Sequence, residues 1–329
     1  MKKAFPLIAA ALVLLSAVYA ALAVQKPAAL KPAALKKVRL GYLRNDLHHL
    51  AAWVALEKGF FREEGLEVEV AGIFNAGPEE MSAFASRSLD AGYLGVAPST
   101  TGVANKSAGV KAVSLANSEG SAIVVGKDSA LRSVKDLAGK TVAIPGYATV
   151  QDFLLRRALE GAGVDPKKVN IIVIKPPEML TALGARQIDA FIAWEPHPSK
   201  AVTGGIGRIL ITSSKIWKGH PCCVVAVESS FYRENPAAVK ALLKAHVRAT
   251  EFIRKNPDEA AGIGRKYTGM DEATLREAMK NIQYHYDINE KDVKEYLQYL
   301  LGFGYIKTVD IDSLAREYIA PEGRKESAP

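Results

Sequence analysis

Short apolar runs alternate with amphipathic segments along most of the chain. Residues 38–43 and 66–72 have the composition and alternation of strands, whereas residues 48–61 repeat apolar positions at helical spacing. Further strands are predicted at 89–96, 110–116, 121–126, 141–145, 169–174, 188–194, 207–212 and 222–229. The helices between them are predicted at 78–87, 98–108, 133–139, 149–161 and 176–186. This order predicts an α/β fold with mostly parallel, doubly wound sheets and helices on both faces.

The strand and helix order restarts at residue 121, which indicates two α/β units. Residues 88–100 (SLDAGYLGVAPST) and 187–199 (QIDAFIAWEPHPS) share an Asp-Ala pair, an apolar strand and a proline-bearing turn. In this match Asp90 corresponds to Asp189. We therefore expect two lobes, each with a strand that turns into a helix at these prolines.

The N-terminal residues differ from the rest of the chain. In residues 1–23 two lysines precede an almost uncharged run that ends in Ala-Leu-Ala, the pattern of a cleaved signal peptide. An uncleaved membrane anchor is the alternative, because a run of about 20 apolar residues can span a bilayer. Residues 24–37 repeat KPAAL and predict a solvated linker. We expect a periplasmic protein, secreted across the cytoplasmic membrane.

Composition narrows the class of protein. The chain has 329 residues, of which 49% are hydrophobic and 24% are charged, so it can build a proper core. Its net charge is +8, but six lysines of residues 1–37 account for most of this excess and leave +2 for the remainder. No basic stripe with interleaved aromatics is present. We therefore expect no nucleic-acid partner, and we expect a monomer.

Candidate binding residues lie where strands lead into helices. In open α/β sheets, ligands bind outside the carboxyl ends of the strands, where helix N-termini offer N–H donors. The turns of this kind contain Asn45, His48, His49, Ser99, Thr100, Ser118, Glu119, Tyr147, Thr149, Trp194, Glu195 and His220. If the two sheets face each other, these turns converge on one crevice. For Ser99, Thr100, Thr149 and Glu195, the alternative role is capping of the following helix.

Histidines and cysteines raise the question of a metal site. The candidates are His48 or His49 together with His197, His220 and Cys222, and Cys222 is followed directly by Cys223. Adjacent residues do not share a helix face, so at most one of His48 and His49 is expected to point into the crevice. No close spacing such as H-x3-H or C-x2-C is present, and the adjacent cysteines are interpreted as buried thiols. We therefore expect no metal ion, no cofactor and no catalytic residue.

Several stretches together resemble a known family. They are residues 48–70, 89–100, 121–146 and 188–201, and their order and spacing resemble those of ABC-importer solute-binding proteins in the nitrate, sulfonate, taurine and thiamine-precursor group. The resemblance covers roughly residues 38–260. It implies a type II periplasmic-binding fold, in which two lobes joined by two crossing segments close over a small ligand.

The resemblance also implies domain boundaries. The first lobe would contain residues 38–117 and 227–329, and the second would contain residues 122–221. The crossings would lie at 117–122 and 221–227. The C-terminal helices would pack back on the first lobe.

The function implied is a receptor that captures a small polar organic or anionic solute for a membrane permease and its ATPase. Such solutes would be sulfonate-, taurine-, nitrate- or thiamine-precursor-like. The chain departs from the family where it lacks the basic side chains expected around sulfonate or nitrate. The alternative is an enzyme on the same lobes, because pyrimidine synthases and menaquinone-pathway enzymes share this architecture. In that case a cleft histidine would act as the acid–base group.

Overall fold

The computed structural model describes residues 34–307 and 310–323. The predicted signal peptide and most of the predicted linker lie outside the described residues. The first strand begins at Lys36, so regular structure starts shortly before the predicted end of the linker at residue 37. Among the described helices, none combines the length and the apolar character needed to cross a bilayer.

The elements are numbered along the chain. The strands are β1 (Lys36–Leu43), β2 (Leu66–Phe74), β3 (Ala91–Gly95), β4 (Val110–Glu119), β5 (Ser121–Gly126), β6 (Thr141–Ile144), β7 (Asn170–Val173), β8 (Ala190–Trp194), β9 (Gly207–Thr212), β10 (Pro221–Glu228) and β11 (Ile282–Gln283). The helices are α1 (Leu50–Glu57), α2 (Phe60–Glu63), α3 (Gly77–Ala85), α4 (Val96–Ala104), α5 (Val150–Gly161), α6 (Pro176–Gly184), α7 (His197–Thr203), α8 (Ser213–Ile216), α9 (Ser229–Glu234), α10 (Pro236–Lys255), α11 (Pro257–Thr268), α12 (Glu272–Lys280), α13 (Glu290–Gly302) and α14 (Ile311–Tyr318).

The strands form two sheets, with the orders β11-β4-β10-β3-β1-β2 and β7-β6-β8-β5-β9. In the first sheet β1, β2 and β3 are parallel, and β10 runs antiparallel to both β3 and β4. In the second sheet β6, β7 and β8 are parallel, and β5 runs antiparallel to β8 and β9. The prediction of mostly parallel sheets is confirmed. The reversed strands β5 and β10 each follow a passage between the sheets.

These reversals orient the two sheets. A strand that enters from the other sheet begins at the edge where its parallel neighbours end, so it must run against them. The carboxyl ends of the parallel strands in both sheets therefore lie at the edge where the chain passes across. This is the edge at which open α/β sheets bind ligands.

Two aspartates support the central parallel strands in the same way. In the first sheet, the carboxylate of Asp90 accepts a hydrogen bond from Arg39 N (2.8 Å), and Asp90 N donates to Arg39 O (2.9 Å). In the second sheet, Asp189 makes the equivalent pair of bonds with Thr141 N (2.8 Å) and Thr141 O (2.9 Å). The predicted correspondence of Asp90 and Asp189 is confirmed. Each aspartate fixes the register between its strand and the neighbouring strand.

The hydrophobic core extends from the first sheet into one face of the second. Ile123 and Val125 of β5 belong to this large cluster, whereas Val124 between them belongs to a smaller cluster with Phe191 and Met179. This follows from the period of two in a strand, which directs successive side chains to opposite faces. The second sheet is thus covered on both sides by apolar side chains.

The chain crosses between the sheets twice. It leaves the first sheet at Gly120, between β4 and β5, within the predicted crossing at 117–122. It returns through α8 and residues 217–220, because β10 pairs with β3 and β4 over its length. The return therefore lies immediately before the predicted range 221–227.

The C-terminal helices contact both sheets' helices. Helix α10 packs against α1 of the first sheet, as the resemblance implied. However, Lys200 of α7 forms an ion pair of 2.8 Å with Asp271 at the start of α12. The rings of Phe153 in α5 and Tyr296 in α13 have centroids 4.3 Å apart. The expectation that these helices pack on the first lobe is therefore incomplete.

Candidate functional site

The turn after β1 directly contacts the turn after β8. Leu47 N donates to Glu195 O at 3.0 Å, and Glu195 N donates to Gly120 O at 2.8 Å. Nε2 of His48 lies 2.8 Å from the same Gly120 oxygen. The histidine-bearing turn, the Trp-Glu-Pro turn and the first crossing therefore meet at one point, between the two sheets.

Position 120, where the three segments meet, requires a glycine. Its φ of +81° lies in the left-handed region. A Cβ atom would lie only 2.3 Å from Nε2 of His48 and 2.8 Å from Cγ1 of Ile282. Glycine therefore supplies both the backbone conformation and the space that the imidazole needs.

A small cavity lies between the sheets. Its lining residues are Leu43, Asp46, Gly77, Gly95, Pro98, Thr149, Val150, Gln151, Trp194, Cys222 and Cys223. Both sheets contribute to it, and its volume is about 10 Å³, roughly the space that one water molecule requires. The structure is therefore that of a closed crevice.

Two histidines flank one buried carboxylate in the turn after β1. Oδ1 of Asp46 accepts from His48 N at 3.0 Å and lies 3.3 Å from Nδ1 of His48. Oδ2 of Asp46 lies 3.6 Å from Nε2 of His49. Asp46 caps the short 3₁₀ turn Leu47–His49 and sits between the two rings. Neither histidine is among the residues that line the cavity, so the expectation that at most one of them points into the crevice stays a prediction.

The two imidazoles have different hydrogen bonds. His48 donates from Nε2 to the carbonyl oxygen of Gly120, which leaves Nδ1 directed at Asp46 and at the thiols described below. His49 accepts from Leu43 N at Nδ1 (3.1 Å), so its Nε2 carries the proton. His48 is therefore the histidine with a nitrogen available for further chemistry.

Cys222 and Cys223 are adjacent, yet their sulfur atoms lie 3.9 Å apart on the same side of the chain. The pairing of β10 with β4 is irregular between Pro221 and Val224, and such bulges redirect side chains. Nδ1 of His48 lies 3.4 Å from Sγ of Cys222 and 3.7 Å from Sγ of Cys223. The thiols are buried as predicted, but they also line the cavity.

Burial and mutual contact shift the pKa values of this cluster. Burial raises the pKa of Asp46 to about 7, although His48 opposes the shift. Burial alone would lower the pKa of His48, but Cys222 and Asp46 outweigh it and raise the value to about 9. Burial opposes ionisation of Cys222, but Cys223 and His48 lower its pKa well below the usual value. The contacts between these groups therefore favour the charged forms of His48 and Cys222.

Glu80 lies beneath the cluster and packs against β3. The approach is so close that a Cβ atom on Gly92 would lie 2.2 Å from Oε1 of Glu80. It is fully buried, and within the described residues neither of its carboxyl oxygens has a hydrogen-bond partner. Burial and the nearby Asp46 carboxylate raise the pKa of Glu80 well above its usual value. Glu80 thus adds a second acidic group below the cavity.

His220 lies at the return crossing, beside the thiol cluster and outside the cavity lining. It is fully buried, and burial lowers its pKa. Nδ1 of His220 lies 3.2 Å from Pro221 O, and its ring is 6.0 Å from that of Trp217. Its role as a ligand contact stays a prediction.

Ser99 and Thr100 do not cap a helix, because α4 begins at Val96, before the predicted start at residue 98. Oγ of Ser99 donates to Gly95 O at 3.0 Å and lies 2.6 Å from the hydroxyl of Tyr318. Oγ1 of Thr100 donates to Val96 O at 2.7 Å. The capping alternative is wrong for both residues, and both hydroxyls bond the helix backbone.

Ser118 and Glu119 support the crossings. Oγ of Ser118 lies 2.7 Å from Nε2 of His285. Glu119 accepts from Gly219 N at 2.8 Å and from Nε2 of Gln283 at 3.2 Å. Glu119 therefore ties the first crossing to the second. A further residue of the predicted set, Asn45, is half-buried and has φ +52° in the turn after β1.

Tyr147 and Thr149 lie in the turn before α5. The side chain of Tyr147 is half exposed and its hydroxyl donates to Ile171 O at 3.2 Å. Thr149 is the N-cap of α5, since its Oγ1 accepts from Asp152 N, and it also lines the cavity. The capping role predicted for Thr149 is confirmed, and it coexists with a place in the cavity wall.

Trp194 and Glu195 were considered for two roles, ligand contact and support of the local structure. The two residues differ in which role the structure favours. Trp194 is buried and lines the cavity, and its Nε1 has no hydrogen-bond partner within the described residues. Glu195 accepts from Ser199 N at 3.1 Å and from Nδ2 of Asn281 at 2.8 Å. The capping role of Glu195 is therefore confirmed. Burial raises the pKa of Glu195 to about 7, although these donors oppose the shift.

Besides Cys222, which was considered only as a metal ligand, four residues of the site with polar or ionisable side chains were not in the predicted set of binding residues. Asp46 lies in a predicted turn beside His48, so its position was a usable signal. Gln151 lies in the first turn of α5 and donates to Oγ of Ser121 at 3.0 Å. Cys223 and Glu80 gave no usable signal, because their orientation depends on the bulge in β10 and on the packing of α3.

Two α/β sheets whose strand-to-helix turns close on a shared cavity define a two-lobed binding protein of the type II periplasmic-binding fold. The chain belongs to the NMT1-like family, whose family model matches residues 31–264.

Relatives and solved structures agree with this assignment. A protein of Brucella abortus (strain 2308) named as a binding protein is 30% identical over 247 residues, which is 74% of this chain and 75% of that protein. A protein of Bacillus subtilis (strain 168) named as an aliphatic sulfonates-binding protein is 27% identical over 79% of this chain and 78% of its own length.

Among solved structures, the alkanesulfonate-binding protein SsuA from Xanthomonas axonopodis pv. citri superposes with a TM-score of 0.75 at 18% identity, covering 88% of this chain and 99% of that one. The nitrate-binding protein NrtA from Synechocystis PCC 6803 superposes with a TM-score of 0.75 at 19% identity, covering 89% of this chain and 88% of that one. At these identities the likeness establishes the fold.

Proposed function

We propose that the protein is the extracytoplasmic solute-binding receptor of an ABC importer. The observation that carries the proposal is the hydrogen bond from Leu47 N to Glu195 O, which closes the turns of two sheets over one cavity. The names of the relatives as binding proteins support the same function. The permease and ATPase complex of such an importer would be the partner.

Closure would be a hinge rotation at the two crossings. Gly120 and the return through α8 connect the sheets, and Glu119 bonds one crossing to the other. A solute that contacts both sheets binds the closed state better than the open state, so its binding shifts the population toward closure. The receptor's chemistry is then hydrogen bonding in a desolvated crevice.

The cavity favours a particular class of solute. Among its lining residues are the carboxyl group of Asp46, the amide of Gln151 and two thiols, but no arginine or lysine. A bare anion such as nitrate or a sulfonate would lie near the acidic groups of Asp46 and Glu80 without a matching cation beyond His48. We therefore infer a solute that presents hydrogen-bond donors or positive charge, with the Trp194 indole as one wall.

The alternative of an enzyme has one observation in its favour, the contact of His48 with the thiol of Cys222. A thiolate beside an imidazolium is an arrangement that can act as a nucleophile. The two functions differ in the fate of the solute, because a receptor releases it unchanged and an enzyme converts it.

Native mass spectrometry of protein purified from its own periplasm tests the proposal. We expect one small molecule per chain, released unchanged on unfolding, with occupancy at least about 30-fold lower for Trp194→Ala, since a central tryptophan contributes about 2 kcal/mol or more. Phe252→Ala is the control, because the Phe252 ring packs against that of Phe60, outside both the cavity lining and the two crossings. A bare polypeptide mass for the wild type, or a chemically altered molecule, would reject the receptor.

A further inference from the structure

The side chains of His48, Cys222 and Cys223 have the mutual separations of ligands around one metal ion. For a tetrahedral ion with metal–sulfur bonds of about 2.3 Å and metal–nitrogen bonds of about 2.0–2.1 Å, the sulfurs lie about 3.8 Å apart and each lies about 3.6 Å from the nitrogen. The observed separations are 3.9 Å between the sulfurs and 3.4 and 3.7 Å from Nδ1 of His48. A single ion fits between the three atoms with little movement.

The surrounding structure holds these three atoms in place. Nε2 of His48 donates to the carbonyl oxygen of Gly120, the bond by which metal-binding histidines commonly fix their tautomer and ring orientation. The bulge in β10 turns both sulfurs of Cys222 and Cys223 toward Nδ1, although adjacent strand residues normally point to opposite faces. The arrangement therefore exists before any ion binds.

Two buried acidic groups lie near the three atoms. Oδ1 of Asp46 lies 3.3 Å from Nδ1 of His48, beside the three atoms. Glu80 lies below with two carboxyl oxygens that lack a partner within the described residues. A buried acidic group normally has a compensating partner, and the cavity lining supplies no lysine or arginine for it.

We propose that Cys222, Cys223 and Nδ1 of His48, with Asp46 beside them, form a binding site for one thiophilic d10 transition-metal ion, Zn²⁺ or Cu⁺. Two thiolates and an imidazole are the donor set that suits such ions rather than Mg²⁺ or Ca²⁺. The site goes beyond the proposed receptor function and does not depend on it. The expectation of no metal was made from sequence spacing, which carries no information on residues 48 and 222–223 because they are distant in sequence, and it stays a prediction.

A competition titration tests the site. Reduced, metal-stripped protein is titrated anaerobically with Zn²⁺, and separately with Cu⁺, against a chromophoric chelator, and we expect one ion per chain. Cys222→Ser, Cys223→Ser and His48→Gln should each weaken binding by more than about 100-fold, since loss of an outer hydrogen-bond partner alone costs about 10–100-fold. His246→Gln is the control, because this buried histidine bonds Tyr93 and Leu115, away from the thiols.

Cobalt substitution gives a second readout that does not depend on a variant. Co²⁺ bound to two thiolates produces a strong sulfur-to-cobalt charge-transfer absorption in the folded wild type. The band should fall by about half in either single serine variant and vanish in the double variant, with apo circular dichroism confirming that each variant is folded.

The outcomes separate cleanly. If Zn²⁺ binds, the site holds a divalent ion, and if only Cu⁺ binds, it holds a monovalent one. Either result supports the proposed metal site. No stoichiometric binding of either ion, binding that survives both serine substitutions, or a cobalt spectrum without the sulfur band would overturn it. A wild type that binds metal but retains no solute would reject the receptor and leave the metal site intact, and the converse holds as well.

Discussion

The segments at residues 88–100 and 187–199 begin alike and end differently. Both start with an aspartate that exchanges two hydrogen bonds with the neighbouring parallel strand, and both continue as a fully buried five-residue strand. The first strand ends in Gly95, whereas the second ends in Trp194. The aspartate at the start of the segment therefore has the same role in both sheets, whereas the residue at the end of the strand, which faces the crevice, differs.

The different ends fit each other across the crevice. A Cβ on Gly95 would lie 2.9 Å from Cγ2 of Val150, which belongs to α5 of the second sheet, so the absent side chain lets that helix approach. Trp194 occupies the corresponding position in the second segment and lines the cavity, yet it belongs to neither hydrophobic cluster. One sheet thus provides space and the other provides an aromatic wall.

The largest expected effect concerns His197, which follows Trp194 in the second segment and corresponds to Pro98 in the first. Burial lowers the pKa of His197 to about 3, so below pH 6.5 the unfolded chain binds a proton that the folded chain does not. The stability that this neutral histidine contributes is therefore lost as pH falls from about 6.5 toward 3, by at most about 1.4 kcal/mol per pH unit. In His197→Gln, the free energy of unfolding should fall less between pH 7 and pH 5 than in the wild type.

Chemical denaturation at both pH values measures this difference. His246 also titrates with a lowered pKa, about 4, so the wild-type slope contains more than one proton. A gap between wild type and His197→Gln that does not change with pH would show that His197 is not buried as a neutral group.

The next effect concerns Asp90 and Asp189, the aspartates at the start of the two corresponding segments. Asp90→Ala and Asp189→Ala should each lower the free energy of unfolding by about 1–3 kcal/mol, because each leaves a strand N–H of Arg39 or Thr141 without its acceptor. The matched variants Asp90→Asn and Asp189→Asn keep an acceptor oxygen and should recover much of the loss. Solute occupancy should be unchanged in all of them. A strong effect of one aspartate and none of the other would break the equivalence of the two segments.

The smallest effect concerns Gly95, the residue at the end of β3 that faces the crevice. Gly95→Ala fits the backbone, since φ is −61°, but its methyl group would lie 2.9 Å from Cγ2 of Val150 in the closed state and 3.1 Å from Cδ of Pro98 in its own sheet. The contact with Pro98 should lower the melting temperature of the solute-free protein slightly. The contact with Val150 should cost the closed state about 1 kcal/mol more, seen as roughly five-fold weaker solute binding. Val150→Ala in the same chain should restore occupancy. If the double variant stays as weak as Gly95→Ala, the contact with α5 is not the cause.

The parts of the fold that depend on local pattern could be predicted from the sequence. Strands at 121–126 and 207–212 match their predicted bounds, because a buried strand between turn residues has a strong local signal. Thr149 was predicted as a cap for the same reason. The helix with Ser99 was misplaced, since it starts directly at the strand end without a capping side chain.

The chemistry of the crevice was harder to predict. The neighbouring sulfurs of Cys222 and Cys223 share one side only because β10 is irregular against β4, which is a tertiary effect. Both histidines reach Asp46 because the turn is a 3₁₀ turn and not the start of a regular helix. Sequence spacing carries no information on either point, so the turns could be located but the cluster within them could not.

The amide of Leu47 reports directly on whether the two sheets close over a bound solute. Its hydrogen bond to Glu195 O joins the turns of the two sheets. Hydrogen–deuterium exchange at Leu47 should be compared between protein isolated with its solute and the same protein stripped by unfolding and refolding. We expect slow exchange in the loaded protein and much faster exchange in the stripped protein. Equal exchange in both forms would contradict it.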